Sequence, residues 1–231
     1  MCPTVADPLQ ADTTEIAALQ FADGVGDACD PRPVGGGDVL VALHTFATPA
    51  TASWVGAGWT ITDDRARTGR AARWVQTTAR GGGTVALRLD VATIGWLGTE
   101  GAVGVALDGD GLQSGLVCEI AGDGTGRLDY VVAREITGLT SRQSLGSRLS
   151  ADTRVVITAV RYVDTRDRGQ LRCSVEYDGA RTQAQLETSD TVIVGSYGFA
   201  ADAAMVDVTA MSVYASPRSC MRAAGRPACP I

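Results

Sequence analysis

The sequence predicts an all-β fold: two large antiparallel sheets packed face to face. Three observations carry this. From Asp38 onward, about a dozen short runs rich in β-branched, aromatic and other apolar residues are separated by Gly, Asp and Ser turns. The clearest of them, Leu171 to Tyr177 and Val206 to Tyr214, alternate apolar and polar residues as half-buried strands do. No segment beyond residue 37 has a helical period, so parallel βαβ architectures drop out.

The expected strands follow in order. Val39 to Phe46 is apolar and partly β-branched, Trp59 to Thr62 is short, and Ala71 to Thr78 follows an Arg-rich turn. Val85 to Asp90, Ala102 to Leu107, Gly115 to Ile120 and Arg127 to Arg134 come next. Arg154 to Val163, Gln170 to Tyr177, Arg181 to Leu186, Val192 to Phe199 and Met205 to Tyr214 complete the set. Gly109, Gly111, Gly122, Gly124, Gly126 and Gly179 fall where the turns are expected, and turns often require a positive φ.

Composition narrows the classes of function. The chain has 231 residues, 45% of them hydrophobic and 20% charged, enough for a packed core and against wholesale disorder. Twenty basic residues, all arginine, against 26 acidic ones give a net charge of -6, which argues against nucleic acid as a partner. No apolar run approaches the roughly 18 residues of a membrane span. Met1 is followed at once by Cys2 and Pro3, with no charged or apolar leader, so an exported protein would be present here as a mature or trimmed chain.

Six cysteines, Cys2, Cys29, Cys118, Cys173, Cys220 and Cys229, point to an oxidising, extracellular setting. They allow 15 connectivities, so the sequence leaves the pairing open. Their clustering favours Cys2–Cys29, Cys118–Cys173 and Cys220–Cys229. Zinc is the competing use, but it wants four close N or S ligands, and the single histidine, His44, is far from any cysteine pair.

Asp23-Gly24-Val25-Gly26-Asp27-Ala28-Cys29-Asp30 has the makings of a calcium loop. A hard cation needs six to eight oxygens, and a short loop can supply them from spaced carboxylates, a turn carbonyl and a glycine that lets the chain bend. Counted as a 12-residue loop, Asp23, Asp27 and Asp30 take positions 5, 9 and 12, and Val25 offers its carbonyl at 7. Together with Cys2-Pro3-Thr4-Val5-Ala6-Asp7 and Asp12 upstream, residues 2–33 resemble a thrombospondin type 3 repeat. The resemblance implies an extracellular, calcium-binding, disulfide-paired segment. It is degenerate: loop positions 1 and 3 are Leu19 and Phe21, and Thr13 to Ala22 is an insertion. Asp12 then either caps a short helical insertion, with Glu15 completing a capping box, or serves as a displaced first ligand. The alternative reading of the segment keeps the Asp residues as turn caps.

The body, from Trp54…Trp59-Thr60-Ile61-Thr62-Asp63-Asp64 to the closing Ser196-Tyr197-Gly198-Phe199…Val213-Tyr214, resembles a concanavalin-A-like, laminin-G-like jelly roll. The expected organisation is a repeat-like segment at 1–33, a Gly linker at 34–37, the sandwich at 38–216 and a cysteine-containing tail at 217–231.

No residue set reads as catalytic. His44 reads as a strand histidine with one satisfied hydrogen bond, and no Gly-x-Ser-x-Gly elbow accompanies it. Jelly-roll glycosidases place carboxylates at alternate positions of one strand, about 5 Å apart. The nearest approach, Glu176-Tyr177-Asp178, reads as a strand end with a turn Asp, and Glu119 stands alone beside Cys118. Asp108-Gly109-Asp110-Gly111, Asp123-Gly124, and Asp164 with Asp167 read as turns before metal loops. Trp59 and Trp74 read as core, whereas Trp96, between Gly95 and Gly98, is the best exposed platform for a sugar. Arg65, Arg67, Arg70 and Arg73 read as a solvated run, with an anionic glycan as the sharper alternative.

The expectation for function is a non-catalytic extracellular binding or adhesion module, stabilised by calcium and taking carbohydrate or a cell-surface protein. The alternatives are a self-assembling surface component and a glycan-active hydrolase of the jelly-roll class.

Overall fold

The computed structural model describes residues 39–46, 54–76, 84–109, 115–136, 138–151, 153–163, 168–188 and 196–215. Asp12, Asp23, Val25, Asp27, Asp30, Cys2, Cys29, Cys220 and Cys229 all lie outside these residues, as do the expected linker and tail.

The described residues form thirteen strands and no helix. They are β1 (Val39–His44), β2 (Trp54–Thr62), β3 (Arg65–Gln76), β4 (Thr84–Trp96), β5 (Ala102–Gly109), β6 (Leu116–Gly122), β7 (Asp129–Glu135), β8 (Thr140–Ser144), β9 (Val155–Val163), β10 (Gly169–Tyr177), β11 (Ala180–Thr188), β12 (Ser196–Asp202) and β13 (Ala204–Ala215). The ladder runs β11-β10-β9-β4-β13-β3-β12-β5-β6-β7-β8, with β1 added on β13 and β2 on β3. Its pairings are antiparallel throughout.

The ladder folds over at β13. This strand pairs with β4 along its length and with β3 through Val206, Asp207 and Val208. Register shifts at Asp207/Val208 and Val208/Ala210 break its pairing with β4 at that point, and such bulges bend and twist a strand. The result is two layers: β11, β10, β9, β4 and β13 in one; β3, β12, β5, β6, β7 and β8 in the other. They pack face to face, β11 on β7 and β8, β10 on β6 and β7, and β9 on β5 and β6.

Alternation decides what fills the gap. Leu87, Leu89 and Val91 of β4, Ile157 of β9 and Leu171 and Val175 of β10 meet Val105 and Leu107 of β5, Ile120 of β6, Val131 of β7 and Phe199 of β12, all buried. Each side chain of this size contributes about 1.5–3 kcal/mol on burial. Their polar alternates point outward, so each layer has an outer face on which a binding surface can be built.

Two tight hairpins hold the register. Asp63 and Asp64 (φ 51° and 58°) join β2 to β3, and Asp178 and Gly179 (φ 48° and 75°) join β10 to β11. Positive φ at both central residues is the type I′ turn, whose twist matches that of the strands. Glu176-Tyr177-Asp178 is therefore a strand end and a turn, as the sequence implied.

The sequence predicts twelve strands and thirteen are present among the described residues; the Arg-rich turn expected before Ala71 is instead part of β3, which starts at Arg65 directly after the Asp63–Asp64 turn. The extra one, β8, reads Thr-Ser-Arg-Gln-Ser, is largely exposed and pairs only with β7. An edge strand with so little buried surface has no apolar alternation to reveal it. Strand β4 also runs on to Trp96, well past Asp90: a bulge at Ala92 shifts the phase by one, and Ile94 and Trp96 resume the inward alternation.

One pairing departs from expectation. Cys118 and Cys173 are free thiols, not a disulfide. Both are fully buried, on β6 and β10, in opposite layers. Each engages a main-chain carbonyl of the other layer: Cys118 Sγ donates to Thr158 O at 3.5 Å and Cys173 Sγ to Val117 O at 3.9 Å. Burial and the neighbouring Cys118 push the Cys173 thiol up, and both side chains, fully buried, pack as small apolar core groups.

Candidate ligand-binding face

Trp96 and the Asp123 loop, both singled out by the sequence, lie at one rim of the sandwich and are occupied with architecture. Trp96 ends β4 half-buried and packs against the core, so it does not stand in an exposed loop. Its ring fills the space a side chain at Gly101 would take: a Cβ there would lie 2.3 Å from Trp96 Cε3. The Arg148 guanidinium sits 5.8 Å from the indole centroid and also donates to the carbonyl of Gly98 at 2.5 Å. The indole N–H is buried near Asp129 without a well-formed hydrogen bond; neither Trp96 Nε1 nor Asp129 Oδ1 has one. Asp129 Oδ2 accepts from the Leu149 amide at 2.8 Å. Burial raises the Asp129 pKa, opposed by that amide and by Arg148.

Asp123 closes its own turn. Its Oδ1 accepts from the amides of Thr125 and Gly126 at 2.8 and 2.9 Å, and its Oδ2 from the Thr125 hydroxyl at 2.5 Å. Those bonds, the Thr125 hydroxyl foremost, hold its carboxyl at about 2. Gly124 and Gly126 supply the positive φ values (77° and 76°) that bring the amides round. With its lone pairs engaged in this way, Asp123-Gly124 is a turn, as the spacing implied. Among the described residues no group of three or more His, Cys, Asp or Glu could hold a metal ion.

Other sequence candidates are likewise structural. Trp59 packs edge-on against Phe199, with centroids 4.8 Å apart. His44 ends β1, and its Nε2 lies 3.3 Å from the Tyr197 hydroxyl. Arg67 bridges Asp63 and Asp207 at 3.1 and 3.2 Å, and Arg65 reaches Asp207 at 3.4 Å. These two arginines are thus paired with carboxylates. The side chains of Arg70, Arg73 and Trp74 are not among those described.

The open site lies elsewhere, on the outer face of β12, β5, β6 and β7. Register builds it. Ala200, Gly104 and Glu119 face one another across β12, β5 and β6; Asp202 lies opposite Ala102, and Ala106 opposite Val117. Val117 in turn pairs with Arg134 of β7. Because Val103, Val105 and Leu107 point inward, Ala102, Gly104 and Ala106 face the other way and, having almost no side chain of their own, line the floor of a depression. The depression encloses about 230 Å³.

Glu119 and Arg134 form its wall. They are diagonal neighbours across β6 and β7. Arg134 Nε donates to Glu119 Oε1 at 2.8 Å and Nη2 to Oε2 at 3.5 Å. Gly104 is needed here: a Cβ would stand 2.2 Å from the Cys118 carbonyl and 2.5 Å from Glu119 Cβ. On the adjoining surface the Arg142 guanidinium stacks 5.2 Å from the Tyr130 ring centroid. In the sequence Glu119 stands as an isolated carboxylate and Arg134 only as the end of an expected strand. The available signal was Gly104, a lone glycine inside a strand, which marks a close approach.

No family model matches the sequence. No curated protein matches it either. Solved structures do. The CBM2 module of the evolved Dit of Lactobacillus casei BL23 phage J-1 superposes with a TM-score of 0.52 at 9% identity, covering 78% of this chain and 96% of that one. Peanut lectin gives 0.51 at 11%, covering 78% and 98%. The laminarinase catalytic domain from Thermotoga maritima MSB8 gives 0.53 at 9%, covering 78% and 99%. At such identities the likeness shows the fold alone: a concanavalin-A-like jelly-roll sandwich. No helix among the described residues is long and apolar enough to cross a membrane.

Proposed function

We propose that this chain is a non-catalytic carbohydrate-binding module whose ligand sits in the depression over β12, β5, β6 and β7. The observation that carries the reading is the Glu119–Arg134 pair standing at the edge of an Ala/Gly floor with open space above it. A sugar ring has one face of C–H groups and a rim of hydroxyls. A flat floor of small side chains accepts the first, and a carboxylate beside a guanidinium accepts and donates to the second. The jelly-roll neighbours include a lectin and a carbohydrate-binding module, which agrees with this reading, and a glycan hydrolase, which keeps catalysis as the alternative. Hydrolysis needs two facing carboxylates, one of them free to act as an acid. Of the two that line the depression, Glu119 is tied to Arg134 and Asp202 is exposed at the opposite edge, which favours binding over turnover.

We place the protein outside the cell or at its surface, on the resemblance of residues 2–33 to an exported repeat. In the same reading Asp12, Asp23, Asp27, Asp30 and the Val25 carbonyl hold calcium. Titration calorimetry with calcium tests that part, and an absence of heat and of thermal shift at millimolar metal would reject it. For the central reading, the purified chain is incubated with polysaccharides and assayed both for retention and for new reducing ends. Retention without turnover is expected; turnover that Glu119→Gln abolishes would establish the hydrolase instead.

A further inference from the structure

We infer that the ligand is a neutral saccharide, gripped through two adjacent ring hydroxyls by Glu119 and Arg134. This rests on the carbohydrate reading above and deepens it.

The charge of the site makes the selection. The lining includes Glu119, Arg134 and Asp202, so the positive charge is already matched by its partner 2.8 Å away and a second carboxylate stands opposite. A uronate or other acidic sugar finds no unmatched cation there. It meets two carboxylates at close quarters, where like charges discriminate against a partner. A cationic amino sugar gains only the exposed Asp202, whose charge is screened by solvent, and at Glu119 it competes with the Arg134 guanidinium already bound there. A neutral hydroxyl avoids both conflicts because it donates and accepts at once.

The pair also has capacity left. A carboxylate has about four lone-pair sites and a guanidinium five N–H donors, and the two side chains use only two bonds on each other. One ligand hydroxyl can donate to Glu119 Oε2, whose bond to Arg134 is long at 3.5 Å, while its neighbour accepts from an Nη group. The side chains keep 15% and 35% of their surface exposed. They are therefore reachable yet shielded enough for charge-assisted bonds to discriminate. Size agrees with a single ring: 230 Å³ lies below the roughly 300–1,000 Å³ typical of drug-sized sites.

The test is a glycan array followed by calorimetry on the full chain. The probes are neutral gluco-, manno- and galacto-oligosaccharides, oligouronates, and glucosamine oligomers. Binding is expected for at least one neutral series and not for the charged ones. Glu119→Gln and Arg134→Met should each weaken it by about tenfold or more, since each removes a charge-assisted bond. Should either single variant fold poorly for want of its partner, Glu119→Met/Arg134→Met restores a matched pair and should still lose the ligand. Preference for oligouronates or glucosamine oligomers would overturn this inference and leave the carbohydrate reading standing. Neutral binding that survives in the double variant would overturn the site. Binding to none of the probes would overturn the carbohydrate reading itself, and this inference with it.

Discussion

The rim around Trp96 and the outer face around Gly104 hold similar residue types and use them in opposite ways. At the rim an arginine stacks on an aromatic ring and two aspartates accept from main-chain amides: Arg148 over Trp96, Leu149 on Asp129, Thr125 on Asp123. On the outer face a carboxylate and an arginine satisfy each other, and the space beside them stays open because the strands beneath carry alanine and glycine. Residue type alone therefore does not mark a site. What separates the two regions is unfilled volume next to polar groups that still have bonding capacity.

The sharpest form of this contrast lies within a single strand. On β6, Cys118 points into the core and Glu119 out of it. Alkylation followed by peptide mapping should show Cys118 and Cys173 unlabelled in the native protein and both labelled after unfolding without reductant. A Cys118–Cys173 disulfide in the unreduced protein would contradict the free, buried pair described above.

Substitutions should separate stability from binding. Trp96→Ala should lower unfolding free energy by about 2–4 kcal/mol in urea titration, somewhat less than a fully buried tryptophan costs, while leaving glycan affinity within about twofold. Loss of affinity with unchanged stability would move the site to the rim. Gly104→Ala should cost about 1–3 kcal/mol, because its Cβ meets a main-chain carbonyl that can yield only with the strand. It should also weaken binding by displacing Glu119. Unchanged stability and affinity together would show that the close approach of β5 and β6 is not required.

The two rim aspartates should respond to acid with opposite signs, a smaller effect. Asp123 is held at about 2, below its usual 3.8. Its stabilisation is therefore complete above 3.8 and is lost as pH falls from there toward 2. Asp129 is raised by burial, so the folded state binds the proton more tightly, and its contribution declines as pH rises above 3.8. Unfolding midpoints measured from pH 2 to 7 should show a shallower acid loss for Asp123→Asn than for the parent chain. For Asp129→Asn, stability relative to the parent should improve as pH rises. Parallel curves for all three proteins would dissolve the distinction.

Much of the architecture was legible because burial writes a period into the chain. Leu171 to Tyr177 and Val206 to Tyr214 alternate since one side of each faces the core, and Asp178-Gly179 reads as a turn since both residues tolerate positive φ. Strand β8 escaped because an exposed edge imposes no such pattern. The site was harder to read for a related reason. Glu119 and Arg134 are fifteen positions apart, and they meet only when β6 and β7 adopt their register. Trp96 misled because flanking glycines resemble a loop. Here Gly95 packs against the Met205 side chain within the β4–β13 pair, and Gly101 leaves room for the indole.

The central claim is that ligand occupies the Gly104 face while the rim is structural. Amide chemical-shift mapping during titration with a neutral oligosaccharide that binds on the array tests it most directly. Shifts concentrated at Ala102, Gly104, Glu119, Arg134 and Ala200 are the expected result. Shifts concentrated at Trp96, Asp123 and Arg148, with the Gly104 face silent, would contradict it.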